Sequence, residues 1–162
     1  LWDKAAYGCP KAVRSLPHPP QKIHQISGRK IIMRNTTEVG RYGESVACYY
    51  LQNNKYKIVA QNYYALHNEI DIIAENNKYI IFVEVKTRSC SSPRDMTFGT
   101  PAMAVTPAKQ KRTVAAAQAY LSEHPTKKTP RLDVIEIYLS KEKDGAPSEV
   151  LKINHIEDAF GA

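Results

Sequence analysis

The stretch from Asn68 to Arg88 constrains the fold more than any other part of the chain. It reads NEIDIIAENNKYIIFVEVKTR, which predicts two antiparallel strands joined by a tight turn. Three acidic residues and a lysine interrupt its runs of Ile, Val and Phe, namely Glu69, Asp71, Glu84 and Lys86. A buried charge is costly unless it is paired or holds a metal ion, so these positions require an explanation.

The turn decides which of the charged side chains share a face of the sheet. Asn76-Asn77 suits a two-residue loop, because Asn tolerates the left-handed backbone that such loops require. In that register Asp71 and Glu84 are diagonal neighbours on one face, about 7–8 Å apart at the backbone and within reach of one shared ion. Lys86 lies on the same face, two residues beyond Glu84. A loop with one more residue would separate the faces.

A ladder of cross-strand salt bridges on a solvated face is the alternative explanation of these charges. Apolar residues on both faces of the hairpin count against it, because a solvated face would not carry them. They are Ile70, Ile72, Ile73, Ile80, Phe82, Val83 and Val85.

A helix is predicted before the hairpin, capped by Thr36 or Thr37 and running to about Asn54. Helical spacing places five residues on one face, namely Gly40, Glu44, Ala47, Cys48 and Leu51. Glu44 is either a surface acid near the start of the helix or a further carboxylate that points at the acids of the hairpin. Glycines at positions 40 and 43 reduce helix propensity, which indicates close approach to another element.

The remaining elements follow the order α-β-β-β-α-β. Strands are expected at 56–64, 67–75, 78–87 and 131–139, with an edge strand or extended segment at 150–156. A second helix begins at Thr106-Pro107, runs to about Glu123 and directs Val114, Ala117 and Leu121 inward. Its position between two strands predicts that those strands are parallel, and that helices cover both faces of a mixed sheet of four to five strands.

The N-terminal 35 residues differ in composition from the rest of the chain. They contain four prolines, and the first 37 residues hold seven basic residues against one acidic residue. We expect residues 1–35 to be an extended or disordered extension and residues 36–162 to be the folded domain. Met33 is the expected natural start, and a basic arm that grips nucleic acid is the alternative.

Positive charge also concentrates after the Glu-Val-Lys strand. Residues 78–131 hold ten basic residues against three acidic ones. A basic surface beside a carboxylate cluster is what a phosphodiester substrate requires, although a mixed-charge surface is the ordinary alternative. The candidates for contact with nucleic acid are Arg88, Arg94, Lys109, Lys111 and Arg112.

The cysteines and histidines argue against a zinc site. The three cysteines and five histidines are scattered, with no CxxC pair, which is typical of reduced cytoplasmic thiols. No apolar run approaches the length of a transmembrane helix, so no membrane partner is expected.

Five ordered motifs, GRYGESVACYYL, NEIDIIA, IIFVEVKTR, AVTPAKQ and RLDVIEI, resemble the YraN family of small bacterial proteins. The hairpin also resembles the signature of PD-(D/E)xK nucleases, with Ile70 in place of Pro before Asp71. The resemblance extends over about residues 36–160 and implies a restriction-endonuclease-like fold, similar to archaeal Holliday junction resolvases, with three α/β/α layers.

The resemblance also implies a metal-dependent site. Its ligands for Mg²⁺ or Mn²⁺ would be Asp71, Glu84, Glu44 and the main-chain carbonyl of Val85. Hard ions of this kind prefer oxygen ligands. Lys86 would orient or activate the attacking water, and Lys109 would contact the scissile or adjacent phosphate.

The predicted function is therefore hydrolysis of phosphodiester bonds in DNA, with branched or junction DNA as a candidate substrate. A nucleic-acid-binding module of the same fold without significant catalysis is the alternative. A structural or protein-interaction role comes third, because an idle sheet has no reason to bury so many charges. A resolvase needs two sites to cut two strands, so a homodimer is expected. Glu69 has no assigned role.

Overall fold

The computed structural model describes residues 36–90, 105–141 and 149–160. These ranges contain two helices and five strands. They are α1 (Thr36–Asn53), β1 (Lys57–Ala65), β2 (Asn68–Glu75), β3 (Tyr79–Cys90), α2 (Pro107–Glu123), β4 (Thr129–Ser140) and β5 (Val150–Ile156). The predicted elements are therefore present, and β3 runs past its predicted end, so that Arg88 lies in a strand and not in a loop.

The strands form one mixed sheet in the order β1-β2-β3-β4-β5. Neighbouring strands are antiparallel except β3 and β4, which are parallel and are connected through α2, as predicted. One apolar core lies between the sheet and α1, and a second lies between the sheet and α2. The predicted α/β fold class, with the three layers of a restriction-endonuclease-like fold, is confirmed.

The turn between β2 and β3 lies one position later than predicted. The N–H of Asn76 donates to Tyr79 O at 2.9 Å, so the two-residue loop is Asn77-Lys78. Neither asparagine has a left-handed backbone. Asn76 acts through its side chain instead, because its Oδ1 accepts the N–H groups of Lys78 and Tyr79, each at 2.8 Å.

This turn keeps the parity of the predicted pairing and changes which residues of β2 and β3 lie opposite each other. Sliding the loop by one position lengthens one strand and shortens the other, so the parity of the pairing does not change. Ile72 lies opposite Val83, and the next positions along the two strands are Asp71 and Glu84. They are predicted to be diagonal neighbours, and continuing the observed register would set them directly opposite each other, just beyond the point where the pairing of β2 with β3 ends.

Helix α1 packs on its face of the sheet through apolar residues and one glycine. Ala47 and Leu51 are fully buried, as the helical period predicts. The predicted close approach is confirmed at Gly43, where an added Cβ would clash with Thr87 Oγ1 of β3. An added Cβ at Gly40 would meet no atom of the described residues within 4 Å, so the same prediction is wrong there.

Helix α2 begins as predicted, with Pro107 in its first turn and the Thr106 side chain accepting the Lys109 N–H at 3.3 Å. Its buried residues are Thr113, Ala116, Ala117 and Tyr120. The sequence predicts that Val114, Ala117 and Leu121 point inward. Ala117 is buried, whereas Val114 and Leu121 are half-buried at the edge of the core. The large Tyr120 ring takes the central position, because it packs edge-on against Phe82 and Tyr63.

The predicted basic extension at residues 1–35 lies outside the described residues, and so do Arg94 and most of the loop that precedes α2. The division between extension and domain therefore stays a prediction. In the described part of the chain, neither helix combines the length and the apolar character needed to cross a membrane.

Candidate active site

The acidic residues of the hairpin lie where two strands of the sheet separate. Pairing between β2 and β3 runs from Glu75 and Ile80 to Ile72 and Val83. Strand β3 stays paired with β4 as far as Cys90, while the start of β2 stays paired with β1. Beyond Ile72 and Val83 the sheet therefore opens into a fork.

Asp71 lies at the vertex of this fork and replaces a backbone partner. Its Oδ2 accepts the N–H of Val85 at 2.6 Å, which satisfies a donor that β2 no longer pairs. Burial and the nearby Glu84 raise the pKa of Asp71 to about 7, against smaller opposing effects of this hydrogen bond and Lys109. A carboxyl group that titrates near neutral pH is typical of functional sites.

Glu84 is almost completely buried, and its two carboxylate oxygens have different partners. Its Oε1 accepts a hydrogen bond from Lys86 Nζ at 2.7 Å. Its Oε2 lies 3.1 Å from Lys109 Nζ without hydrogen-bond geometry, and it has no hydrogen-bond partner among the described residues. A buried carboxylate oxygen in this state favours binding of a further cation or donor.

Lys109 spans the fork from α2. Its Nζ donates to the main-chain carbonyl of Glu69 on β2 at 3.2 Å while it pairs with Glu84 on β3. The buried Asn68 reaches the same helix through Thr113 Oγ1 at 3.5 Å. These contacts fix the start of β2 against α2 and place Lys109 inside the acidic cluster, where it neutralises Glu84.

Glu44 lies on the other side of this cluster, in the third turn of α1. Burial and the charge of Glu69 raise its pKa, while Arg41 opposes the shift. Its own charge contributes in turn to the raised pKa of Asp71. The contact between Gly43 and Thr87 holds this part of α1 against β3. The structure therefore brings Glu44 near the acidic cluster, as predicted.

The remaining basic candidates are spread over two elements. On β3, the half-exposed Arg88 reaches Glu136 of β4, with Nη2 3.4 Å from Oε1. On α2, Lys111 and Arg112 are exposed. They form no ion pair within the described ranges, whereas Lys109 does. The first turns of α2 therefore present two cations to solvent beside the fork.

The oxygen groups at the vertex suit a hard divalent ion. Mg²⁺ is commonly held by one or two carboxylates, with waters and substrate phosphates filling the other positions. Asp71 and Glu84 supply two such carboxylates, and Glu84 Oε2 is the acceptor that such an ion would satisfy. Within the described residues no group of three or more His, Cys, Asp or Glu side chains is placed to hold a metal ion. A ligand role for Glu44 therefore stays a prediction, through an intervening water.

A second buried carboxylate, on β4, was not identified from the sequence as part of a cluster. Asp133 Oδ1 accepts Arg131 Nε at 2.8 Å and the N–H of Asp158 at 3.0 Å. Its Oδ2 accepts Arg131 Nη2 at 2.8 Å and lies 2.8 Å from His155 Nε2. Burial acts to raise the pKa of Asp133, but the bonds from His155 and Arg131 hold it below its usual value. An acid within an apolar run was the available signal.

Glu136, on the same strand as Asp133, is a third buried carboxylate of the sheet. Its Oε2 accepts Tyr138 Oη at 3.2 Å and Asn154 Nδ2 at 3.0 Å, while its Oε1 faces Arg88. Glu136 lies beside Lys86 in the register of β3 and β4. The polar surface that begins at the fork therefore continues across the sheet to β5.

Comparison with known proteins identifies the family. The model of Uncharacterised protein family UPF0102 matches residues 43–137, which include every candidate site residue. A UPF0102 protein of Chlorobium chlorochromatii is 42% identical over 126 residues, covering 78% of this chain and 93% of that protein. A UPF0102 protein of Caldanaerobacter subterraneus subsp. tengcongensis is 41% identical over 127 residues, covering 78% and 97%. A UPF0102 protein of Clostridioides difficile is 40% identical over 127 residues, covering 78% and 99%. The chain therefore belongs to the UPF0102 family, the YraN family that its motifs resembled.

Proposed function

We propose that this protein is a metal-dependent nuclease that hydrolyses phosphodiester bonds in DNA, with branched DNA as its preferred substrate. The observation that carries the proposal is the pair of acids Asp71 and Glu84 at the vertex of an open fork, where Glu84 is buried and its Oε2 has an ion pair with Lys109 but no hydrogen bond. A carboxylate serving only the fold would have its partners complete, as Asp133 does.

Each residue at the fork has a distinct task in this proposal. Asp71 and Glu84 would hold the divalent ion, which when bound supplies an activated water and stabilises charge on the phosphate. Lys86, fixed by Glu84 Oε1 at 2.7 Å, would orient the attacking water and stabilise developing charge. Lys109 keeps the carboxylates neutralised and lies where an adjacent phosphate would meet it.

The exposed cations of α2 would bind the DNA backbone. Each phosphate contact contributes about one unit to the slope of log affinity against log salt concentration. Lys111→Ala and Arg112→Ala should therefore each flatten the slope by about one unit, for every DNA sequence tested. Lys57→Ala is the matched control, because Lys57 is exposed at the other end of the hairpin β1–β2.

The thiols support a reducing compartment, and we place the nuclease in the cytoplasm. Cys48 and Cys90 are free in the described part of the chain. Burial raises the pKa of Cys48 to about 11, so this thiol stays protonated and unreactive. Unpaired thiols, one buried at Cys90 and one partly buried at Cys48, are typical of proteins that function under reducing conditions.

The deciding experiment compares the wild-type protein with Asp71→Ala, Lys86→Ala and Glu75→Ala. The substrates are four-way junction, flap, nicked, single-stranded and duplex DNA, with Mg²⁺, Mn²⁺ or EDTA. Glu75→Ala is the matched control, because Glu75 is an acid on the same strand that pairs with Lys128 at 2.7 Å, away from the fork. Cleavage is read on gels, DNA binding by fluorescence anisotropy and Mn²⁺ binding by calorimetry.

We expect the wild type and Glu75→Ala to cleave only with metal. Asp71→Ala should cleave at least a hundredfold more slowly, because it loses a metal ligand, and should bind DNA as tightly or more tightly, because it loses a negative charge. Lys86→Ala should bind Mn²⁺ but cleave slowly. Equal cleavage by Asp71→Ala would remove the fork as the catalytic site. A wild-type protein that binds DNA and metal but cuts nothing would establish the alternative, a nucleic-acid-binding module.

A further inference from the structure

The tip of the hairpin β1–β2 is strained in a way that its sequence does not favour. Ala65 pairs with Asn68, so Leu66-His67 is a two-residue loop, and its φ angles are 49° and 59°. Loops with positive φ at both central residues strongly favour Asn-Gly, since neither residue then carries a bulky side chain. Leu and His there cost of order 1–3 kcal/mol each, and such strain is concentrated at functional sites.

The same tip carries the most exposed apolar side chains in the described part of the chain. Tyr64 is 66% exposed and Leu66 is 63% exposed, whereas Val59 and Leu151, the other large exposed apolar residues, reach only 40% and 39%. An aromatic and a branched aliphatic side chain held in solvent on one turn indicate a contact surface. The strained loop is what holds Leu66 at its apex.

This surface borders the acidic cluster. Tyr64 pairs with Glu69, so both side chains leave the same face of the two strands. The carbonyl of Glu69 accepts a hydrogen bond from Lys109 Nζ, and the same ammonium group pairs with Glu84, so the tip is joined to the cluster through Lys109. Along β2, Asp71 lies two residues from Glu69, about 7 Å. That is about two base steps of a nucleic acid strand.

The tip is also anchored as a rigid support. Lys109 Nζ donates to the carbonyl of Glu69, and Asn68 Nδ2 contacts Thr113 Oγ1 in the buried layer beneath α2. Both contacts reach the two residues of β2 that follow the loop. A side chain mounted on an anchored turn loses little conformational entropy when it binds a planar ligand.

We propose that Tyr64 and Leu66 form a base-stacking tip, which holds an unpaired or unstacked nucleobase about two steps from the phosphate at the fork. The inference rests on the proposed function, and it names the feature of the substrate that is recognised. Aromatic side chains stack on the faces of unpaired bases, and aliphatic wedges open base steps. A continuous duplex offers no free base face, whereas branch points and single strands do.

A nucleobase fits this surface better than a second copy of the chain would. The two residues that follow the loop, Asn68 and Glu69, contact Thr113 and Lys109 of α2, and the same turns of that helix carry the exposed cations Lys111 and Arg112. Two apolar side chains on a turn form a patch far smaller than a stable protein interface requires, but they match the area of one base.

The test uses the full chain in EDTA, so that binding is measured without cleavage. The probes are a four-way junction and a single strand with 2-aminopurine at the branch or at a defined position, and a matched duplex. Stacking of 2-aminopurine lowers its fluorescence. The variants are Tyr64→Ala, Tyr64→Phe and Leu66→Ser. Leu151→Ser is the control, because Leu151 is an exposed apolar residue on the opposite edge strand.

We expect the wild type to quench the probe and to bind the junction at least tenfold more tightly than the duplex. Tyr64→Ala should lose the quenching and about tenfold in affinity for the junction and the single strand, while Tyr64→Phe keeps both, because the ring and not the hydroxyl stacks. Leu66→Ser should lower the preference for the junction, and Leu151→Ser should change nothing.

Unchanged affinity and quenching in Tyr64→Ala would overturn the stacking tip and leave the nuclease proposal standing. A dimer in analytical ultracentrifugation that Tyr64→Ala dissociates, with equal affinity for DNA per protomer, would also overturn it in favour of a contact between copies. Quenching that depends on Tyr64 without any cleavage in metal would support the tip and overturn the nuclease. A wild type that binds no nucleic acid would overturn both.

Discussion

The fork and the cluster around Asp133 on β4 both bury carboxylates on the same sheet, but the two sites differ in how many partners these carboxylates have. Asp133, fully buried, has four polar neighbours at 2.8–3.0 Å, and its pKa is held low despite its burial. At the fork, Asp71 has a pKa raised to about 7, and one oxygen of the buried Glu84 lacks a hydrogen bond. Groups of the chain itself supply every partner of the Asp133 carboxylate. At the fork, a further cation or hydrogen-bond donor could still bind Glu84.

The difference teaches how to separate structural charge from functional charge in one fold. The partners of Asp133 come from β4, from β5 and from the turn after it, so the cluster ties these elements together. The partners at the fork are two lysines that bridge an opening between strands. A satisfied buried network rigidifies a core, whereas an incomplete one is costly and persists where function requires it.

The comparison is tested most strongly by removing the complete carboxylate. Asp133→Ala leaves the buried Arg131 without its main partner, so the free energy of unfolding should fall by about 3–5 kcal/mol. Urea denaturation measures this. Glu157→Ala is the control, because Glu157 also pairs with Arg131, at 3.1 Å, but is 62% exposed, and it should cost less than about 1 kcal/mol. Equal losses in the two variants would show that Asp133 is not the centre of the cluster.

The second prediction concerns the fork, where replacing the carboxylate should raise the free energy of unfolding and not lower it. The pKa of Asp71 is raised from 3.8 to about 7 in the folded state. At a pH between these two pKa values, the folded protein therefore binds a proton that the unfolded chain has released. The stabilisation is present at low pH and is lost as pH rises toward 7. In EDTA, the free energy of unfolding of Asp71→Asn relative to wild type should therefore increase by about 2–3 kcal/mol between pH 5 and pH 8.

Glu75→Gln is the control for this titration. Glu75 lies on the same strand and pairs with Lys128 on the surface, so its difference from wild type should stay nearly flat over the same pH range. Chemical denaturation at each pH supplies both curves. Parallel curves of unfolding free energy against pH for wild type and Asp71→Asn would mean that the pKa of Asp71 is not raised in the folded protein.

Local sequence patterns predicted most of the fold and the main members of the fork. The period-two pattern predicts that Asp71, Glu84 and Lys86 share one face, and sliding the loop by one position preserves the parity of that pairing. The alternation of β2 breaks next to Asp71, because Ile70 and Ile73 pack in the core beside α2 and Ile72 packs in the core beside α1, so the shared face stays a prediction. The loop itself was misplaced because Asn76 acts through its side-chain oxygen and not through a left-handed backbone. Residue type alone does not distinguish these two uses of asparagine.

Contacts between distant parts of the chain account for what the sequence did not reveal. The pairing of Lys109 with Glu84 depends on how α2 crosses the fork, and the role of His155 beside Asp133 depends on how β5 returns along β4. The separation of β2 from β3 is visible only once Asp71 is seen to bind the Val85 N–H. Periodicity within one element carries no information on such partners.

The third prediction uses the two glycines of α1 to test how closely this helix packs on β3, beside Glu44. An Ala at position 43 would clash with Thr87 Oγ1 and push this turn of α1 away from β3, so Gly43→Ala should cost about 1–2 kcal/mol. Gly40→Ala is the matched control and should stabilise by up to about 1 kcal/mol, because it gains helix propensity with open space around it. Thermal unfolding measures both, and equal stabilisation would show that the contact with Thr87 is not close.

The smallest expected effect comes from relieving the strain at the tip of β1–β2. Replacing Leu66-His67 with Asn-Gly supplies residues that accept positive φ at both positions. The relief of strain is partly offset by the greater conformational entropy that Gly gives the unfolded chain, so the free energy of unfolding should rise by about 1 kcal/mol. The same replacement at Asn77-Lys78, where neither residue has a positive φ, should bring no such gain and is the control. If Asn-Gly fails to stabilise the first loop, its left-handed residues are not under strain. If it stabilises the protein and lowers its preference for branched DNA, then the tip, like the fork, holds a conformation that costs stability because binding needs it.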